Sequence, residues 1–157
     1  MNIFVIGDNA DPVLSAQNQL DKHIVKMPLE TAQLLCSVYE PGTAPYRRTH
    51  YNHPCARWVR ASSANFDWLV CHGRALCEEY TYRYGKVHAS RSVIEWCDDN
   101  KHLLTFSDDR MTGMYQAMPE EYRNSDVVVA YRAYYLGAKR EIATWKVRNP
   151  PGWWQIA

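Results

Sequence analysis

Glycine is scarce in this chain. Its seven residues are scattered, and none follows a strand-like run in the spacing that cradles a phosphate, which excludes the usual nucleotide-binding loops. Long apolar runs are missing as well. The longest near the N-terminus, Ile3 to Ile6, falls far short of the ~18–20 residues of a membrane span. It also lacks the length and the basic flank of an export signal. The sequence therefore predicts a cytosolic protein without a membrane partner. No Cys-x-x-Cys occurs, and neither His50, His53 and Cys55 nor Cys71 and His72 match a structural zinc spacing. No metal and no cofactor are expected. Five cysteines, an odd number without an export signal, read as free thiols. Repeats, low-complexity tracts and linkers are also absent, so residues 1–157 read as one domain.

What is present is ordinary in bulk and unusual in detail. Hydrophobic residues make up 46% and charged residues 22%, enough apolar content for a core in a domain of this size. Aromatics are weighted to 11 Tyr and 6 Trp against 3 Phe, and those two combine a flat apolar face with a polar handle. The helical period dominates. Leu20, Ile24, Met27, Leu34, Leu35 and Val38 recur at three- or four-residue intervals, after an Asp11 N-cap and Pro12 at the first helical position. This predicts a helix over 12–39, with Pro28 kinking or dividing it. A second helix is expected over 54–84 with Gly85 as its stop, a short third around Val93 to Asp98, and a last one over 126–147. Residues 102–118 read as irregular and Pro119 to Tyr122 as a single turn. The expected fold is all-α: a compact single-domain helical bundle with a short extended N-terminal arm, its core containing Leu20, Ile24, Leu35, Trp58, Leu69 and Leu76.

Charge is balanced overall, at +1, but unevenly placed. Residues 127–157 carry Arg132, Lys139, Arg140, Lys146 and Arg148 against Glu141, while 95–109 are acidic. A basic tail beside an acidic patch can orient a molecule on a polyanion; ordinary surface scatter is the alternative. On the first helix Lys22, His23, Lys26 and Glu30 line a polar stripe. His23 and Glu30 are two turns apart and so leave from one face. A carboxylate beside two positive groups suits acid–base work on an anionic substrate, and a plain surface pair of Lys26 with Glu30 is the competing reading. At the second helix, Asn52, His53, Arg57 and Arg60 combine a helix N-terminus with cationic side chains, which favours a phosphate. In the tail, Arg132, Lys139, Trp145 and Lys146 interleave cations with aromatic rings, as phosphate contact and base stacking require. Core aromatics with snorkelling basic side chains would look the same.

The segment Asp21-Lys22-His23-Ile24-Val25-Lys26-Met27-Pro28-Leu29-Glu30 resembles the first-helix motif of the pyrimidine-dimer DNA glycosylases of the phage endonuclease V type. Asn52-His53-Pro54 to Trp58, His72-Gly73, Leu76 to Glu79 and Arg83-Tyr84-Gly85 are similar to small bacterial proteins grouped with that family. Lys139 before Thr144-Trp145-Lys146 resembles its basic, aromatic tail. The likeness extends most closely to phage-encoded members, for which the host cytoplasm would be the location. It implies a helical enzyme that acts on double-stranded DNA and flips a base out of the duplex, and a monomer is expected. In the family a primary amine attacks C1′ of the damaged nucleotide with a glutamate assisting, and β-elimination can then nick the strand. Carried over residue by residue, Glu30 takes the glutamate role and His23 that of the motif histidine, while Lys26, Arg57 and Lys139 would hold phosphates.

One position departs from the pattern. The family's amine is exposed when the initiator methionine is removed before a small residue, and here the second residue is the bulkier Asn2. If Met1 stays, its own α-amine has to serve, which makes Met1 the third catalytic candidate. The expected function is a DNA glycosylase, with or without lyase activity, acting on a damaged or modified pyrimidine. The alternatives are an enzyme that uses the same pocket to modify a hypermodified pyrimidine, and a non-catalytic DNA-binding protein. The enzyme reading expects Glu30 and His23 in one pocket, whereas the binding reading leaves Glu30 on the surface with Lys26.

Overall fold

The computed structural model describes residues 1–154. Among them are six α-helices and no strand: α1 Pro12–Gln17, α2 Asp21–Cys36, α3 Pro54–Ala61, α4 Ser63–Tyr84, α5 Arg91–Asp99 and α6 Val127–Ala138. Single turns of 3-10 helix connect or extend them, including one at Glu120–Tyr122 where the sequence places a turn. Helix α4 is central, with α1, α2, α3 and α5 packed against it. Leu20, Ile24, Leu35, Trp58, Leu69 and Leu76 are all buried, as the apolar spacing predicts. Each such side chain contributes about 1.5–3 kcal/mol. No helix among these residues is long and apolar enough to cross a membrane.

The N-terminal arm is extended and enclosed. Ile3, Phe4, Val5 and Ile6 are buried, and the Ile6 carbonyl accepts from Arg132 Nε of α6 at 2.9 Å. At Gly7 the arm meets α1 so closely that a Cβ there would lie 2.4 Å from the Ser15 nitrogen, and only glycine fits. Asp11 caps α1 by accepting the Leu14 N–H at 2.8 Å, the N-cap that the Asp-Pro pair announces.

Three helix boundaries differ from expectation. The 12–39 segment divides at Asn18–Leu20, not at Pro28, through which α2 runs unbroken. Proline removes one rung of the ladder, but a buried apolar face holds the helix across the gap. The break is imposed from outside. Arg83 donates to the Gln17 carbonyl, Trp145 Nε1 to that of Asn18, and the Asp21 N–H goes to the Thr144 carbonyl at 2.8 Å. The 54–84 segment divides at Ser62, which is extended and caps α4 by accepting the Asn65 N–H. Asn65 Nδ2 in turn donates to the Trp58 carbonyl, closing α3. The last helix ends at Ala138 instead of 147, and residues 139–148 cross the start of α2.

Two buried histidines tie stability to pH. His72 donates from Nδ1 to the Pro12 carbonyl at 2.8 Å, and burial pushes its pKa down from 6.5 to about 4. Burial, then Lys139 and Lys26, lower that of His23 to about 3. Both are neutral when folded and protonate more readily when unfolded, so the unfolded chain binds more protons over this range. Stability is complete above pH 6.5 and falls as the pH drops towards 4, by about 1.4 kcal/mol per pH unit for each histidine. Urea midpoints between pH 7.5 and 5 should decline accordingly, and His72→Gln should flatten the slope.

Candidate active site

The arm delivers the start of the chain to α2. Phe4 stacks on the His23 ring with centroids 4.2 Å apart and meets Tyr131 and Tyr135 of α6 edge-on. Asn2 is held on both sides. Its Nδ2 donates to the Ala117 carbonyl at 2.9 Å, and its Oδ1 accepts from the Tyr131 hydroxyl at 2.6 Å. The Asn2 N–H then donates to Glu30 Oε1 at 3.1 Å, and the Met1 α-ammonium lies 3.6 Å from the same oxygen. Lys26 Nζ stands 3.5 Å from Oε2, one helical turn back. The Glu30 side chain is only 10% exposed, so this carboxylate is a partly enclosed anion ringed by donors.

His53 completes the surroundings at the start of α3. Its Nδ1 accepts the Cys55 N–H at 3.0 Å, which leaves the proton of a neutral ring on Nε2. Its pKa is lowered by burial first, then by the Met1 ammonium, His50 and Arg57, with Glu30 opposing. Cys55 beneath it is buried, and burial pushes its thiol up to about 12, so it is no nucleophile at neutral pH.

The chain's first 92 residues, which contain every group just described except the α6 tyrosines and Ala117, match the family model for pyrimidine dimer DNA glycosylases. The chain belongs to the pyrimidine dimer DNA glycosylase family. No curated protein and no solved structure matches it. For a pyrimidine dimer DNA glycosylase, the family's substrate is DNA, and the matched segment ends in α5, so α6 and the basic tail lie outside it.

The sequence-derived candidates divide accordingly. Met1, Lys26 and Glu30 come together. His23 does not join them: its Nδ1 shares a 2.5 Å hydrogen bond with the Tyr135 hydroxyl, and it is buried and neutral. The expected pair of positive groups beside Glu30 is therefore Lys26 and the α-amine, because burial makes a charged His23 too costly. Five surface concavities, of about 260 to 720 Å³, include neither Glu30 nor His23. Lys22, Asn52 and Arg57 are exposed, and His53 and Arg60 half-buried.

In the tail, Arg132 pairs with Asp8 at 2.7 Å, and Lys139 and Lys146 lie over the Tyr134 and Tyr84 rings. Trp145 is half-buried against Trp154, its N–H committed to Asn18. Tyr131 and Tyr135, which belong to the tail's run of interleaved cations and rings, are buried and hold the arm instead of facing outward. Their spacing of four on one helix face was the available signal.

Asp21 was also missed as a site-building residue, although it opens the motif. Its Oδ2 accepts from Thr144 Oγ1 at 2.8 Å, and its Oδ1 accepts from the Lys146 N–H and from Arg83. The tail is thereby docked on the first turn of α2.

Proposed function

We propose that this chain is a DNA glycosylase that removes a damaged or modified pyrimidine from double-stranded DNA, with the Met1 α-amine as nucleophile and Glu30 as the group that handles its proton. The carrying observation is the convergence of the first two backbone nitrogens on one partly enclosed carboxylate, at 3.6 and 3.1 Å. An amine attacks only after losing the ammonium proton, and Glu30 Oε1 is placed to take it. The nitrogen then bonds to C1′ of an extruded nucleotide, and the base leaves with the electron pair of the broken bond and a proton. Opening of the sugar ring, with O4′ protonated, yields a Schiff base from which β-elimination can nick the strand. The carboxylate also opposes positive charge developing at C1′, as in glycoside cleavage. Removal of Met1 would hand the nucleophile's role to the Asn2 nitrogen, which already touches the same oxygen.

On this reading His23 is a positioning residue. It stacks Phe4 and is held by Tyr135, which fixes the arm and so the amine. Lys22, Lys26, Asn52, His53, Arg57, Arg60, Arg132, Lys139, Trp145 and Lys146 form the candidate DNA-binding set.

Borohydride trapping on duplexes carrying candidate lesions tests the reading. Reduction of the Schiff base leaves protein covalently attached to DNA, which only an amine nucleophile can do. A non-catalytic DNA-binding protein is the second reading, in which the 3.5 Å pair of Glu30 with the exposed Lys26 is only an ion pair. Binding without any trapped adduct or base release would select that reading. In either case affinity should fall with salt, with a slope of about 0.9 per phosphate contacted. Charge reversal of Lys139 and Lys146 should weaken binding to all sequences about equally, because phosphate contacts position the protein without specifying bases. Affinity unchanged between low and high salt would remove nucleic acid as the partner.

A further inference from the structure

We propose that Arg48, Tyr51 and Arg60 form a pre-set clamp for a backbone phosphate of the DNA strand, an assignment that rests on the DNA-acting reading above. Residues 41–66 carry four arginines, Arg47, Arg48, Arg57 and Arg60, and no aspartate or glutamate. Within this stretch the Arg48 guanidinium lies 4.1 Å from the centroid of the Tyr51 ring and that of Arg60 lies 3.8 Å from it. Two guanidinium groups so near one centroid would overlap on a single face, so they occupy opposite faces. Each is further fixed by a main-chain carbonyl: Arg48 Nη2 donates to Tyr39 and Arg60 Nη1 to Tyr51.

The arrangement is unfavourable in the free protein. Two like charges are held across one ring, and Arg48 Nε is buried without a partner. Four other arginines are neutralised: Arg74, Arg83, Arg132 and Arg148 each reach a carboxylate within 3.1 Å. Among the described residues, no carboxylate lies within ion-pair distance of Arg48 or Arg60. Glu40, which borders the neighbouring concavity with Tyr51 and Arg60, makes no ion pair with either.

The missing component is an anion. Guanidinium forks with unused N–H groups match phosphate oxygens, and groups locked beforehand lose little entropy on binding. Both faces of Tyr51 are covered, so no base can stack there. The cluster therefore grips a phosphodiester and does not read sequence.

Duplex binding as a function of salt decides this, using one duplex with a cyclobutane pyrimidine dimer and one without. Arg48→Gln and Arg60→Gln should each lower the salt slope by about one and weaken both duplexes by the same factor. Tyr51→Leu, with both arginines present, should move the slope the same way, and Tyr51→Phe should restore it, because the ring face is what holds the cations. Arg110→Gln, an exposed arginine already paired with Asp108, should leave the slope unchanged. Thermal unfolding of each variant separates lost contacts from lost fold. If the parent protein binds both duplexes in a salt-dependent way and the folded Arg48→Gln/Arg60→Gln protein keeps its slope, the clamp is overturned and the glycosylase reading stands. If the parent binds neither duplex at any salt, the glycosylase reading falls and takes the clamp with it.

Discussion

Glu30→Gln is expected to reduce base removal by at least ~10²-fold, the scale of a positioned general acid–base, while DNA binding is largely kept. The substitution is close to isosteric, and the amide oxygen can still accept the Asn2 N–H that holds the arm, so the local fold should survive. What disappears is the charge facing the Met1 α-amine and Lys26, and with it the site that takes the amine's proton. Single-turnover release of the base, paired with the yield of borohydride-trapped adduct, measures the loss directly. Glu141→Gln is the control: Glu141 is exposed in the basic tail, so its loss should alter turnover little. Parent-like turnover by Glu30→Gln would end the assignment of Glu30 as the catalytic carboxylate and hand the amine's proton to another group. Full DNA affinity with turnover lost is the outcome expected.

Much of the helical layout was legible locally, because caps and stripes are local. Asp11 with Pro12, His53 with Pro54, and Gly85 in a left-handed conformation each mark a real helix end. The break at Ser62 is also a local cap, hidden by the apolar stripe that runs across it, whereas the break before α2 is set by distant partners. Nothing near Asn18 announces that Arg83 and Trp145 will take the last carbonyls of α1. The site was legible in the same partial way. Seven-residue spacing puts His23 and Glu30 on one face of α2, and both are buried there, while Lys22 and Lys26 beside them stay exposed. Yet His23 faces Tyr135 and Glu30 faces the chain's own first residues, a division that depends on where the arm and α6 pack. Interleaved cations and rings in the tail did read as a surface for nucleic acid. The structure turns part of that pattern inward: Tyr131 and Tyr135 are buried, and Arg148 is held by Glu79.

Arg83→Met is expected to destabilise the protein by about 3–5 kcal/mol, the cost of leaving buried charges without their partner. Arg83 is 4% exposed and donates in three directions: to Glu79 at 2.8 Å, to Asp21 at 3.1 Å and to the Gln17 carbonyl at 2.9 Å. Methionine fills a similar volume but strands Asp21 and Glu79, both buried, with only their remaining contacts to tail residues. Asp21→Asn should cost less, since the amide keeps an acceptor for the Lys146 N–H and Arg83 keeps Glu79. These contacts dock residues 144–148 on the first turn of α2, and Lys146 stands among them. Arg83→Met should therefore also expose Lys146 and Arg148 to trypsin and lower the salt slope of DNA binding, while Arg110→Gln does neither. Denaturant midpoints and limited proteolysis on the intact chain report the two effects separately. A loss in stability under about 1 kcal/mol would mean that the Asp21–Arg83–Glu79 network does not organise the tail, because a buried cation of this kind cannot be removed cheaply if its two carboxylates depend on it.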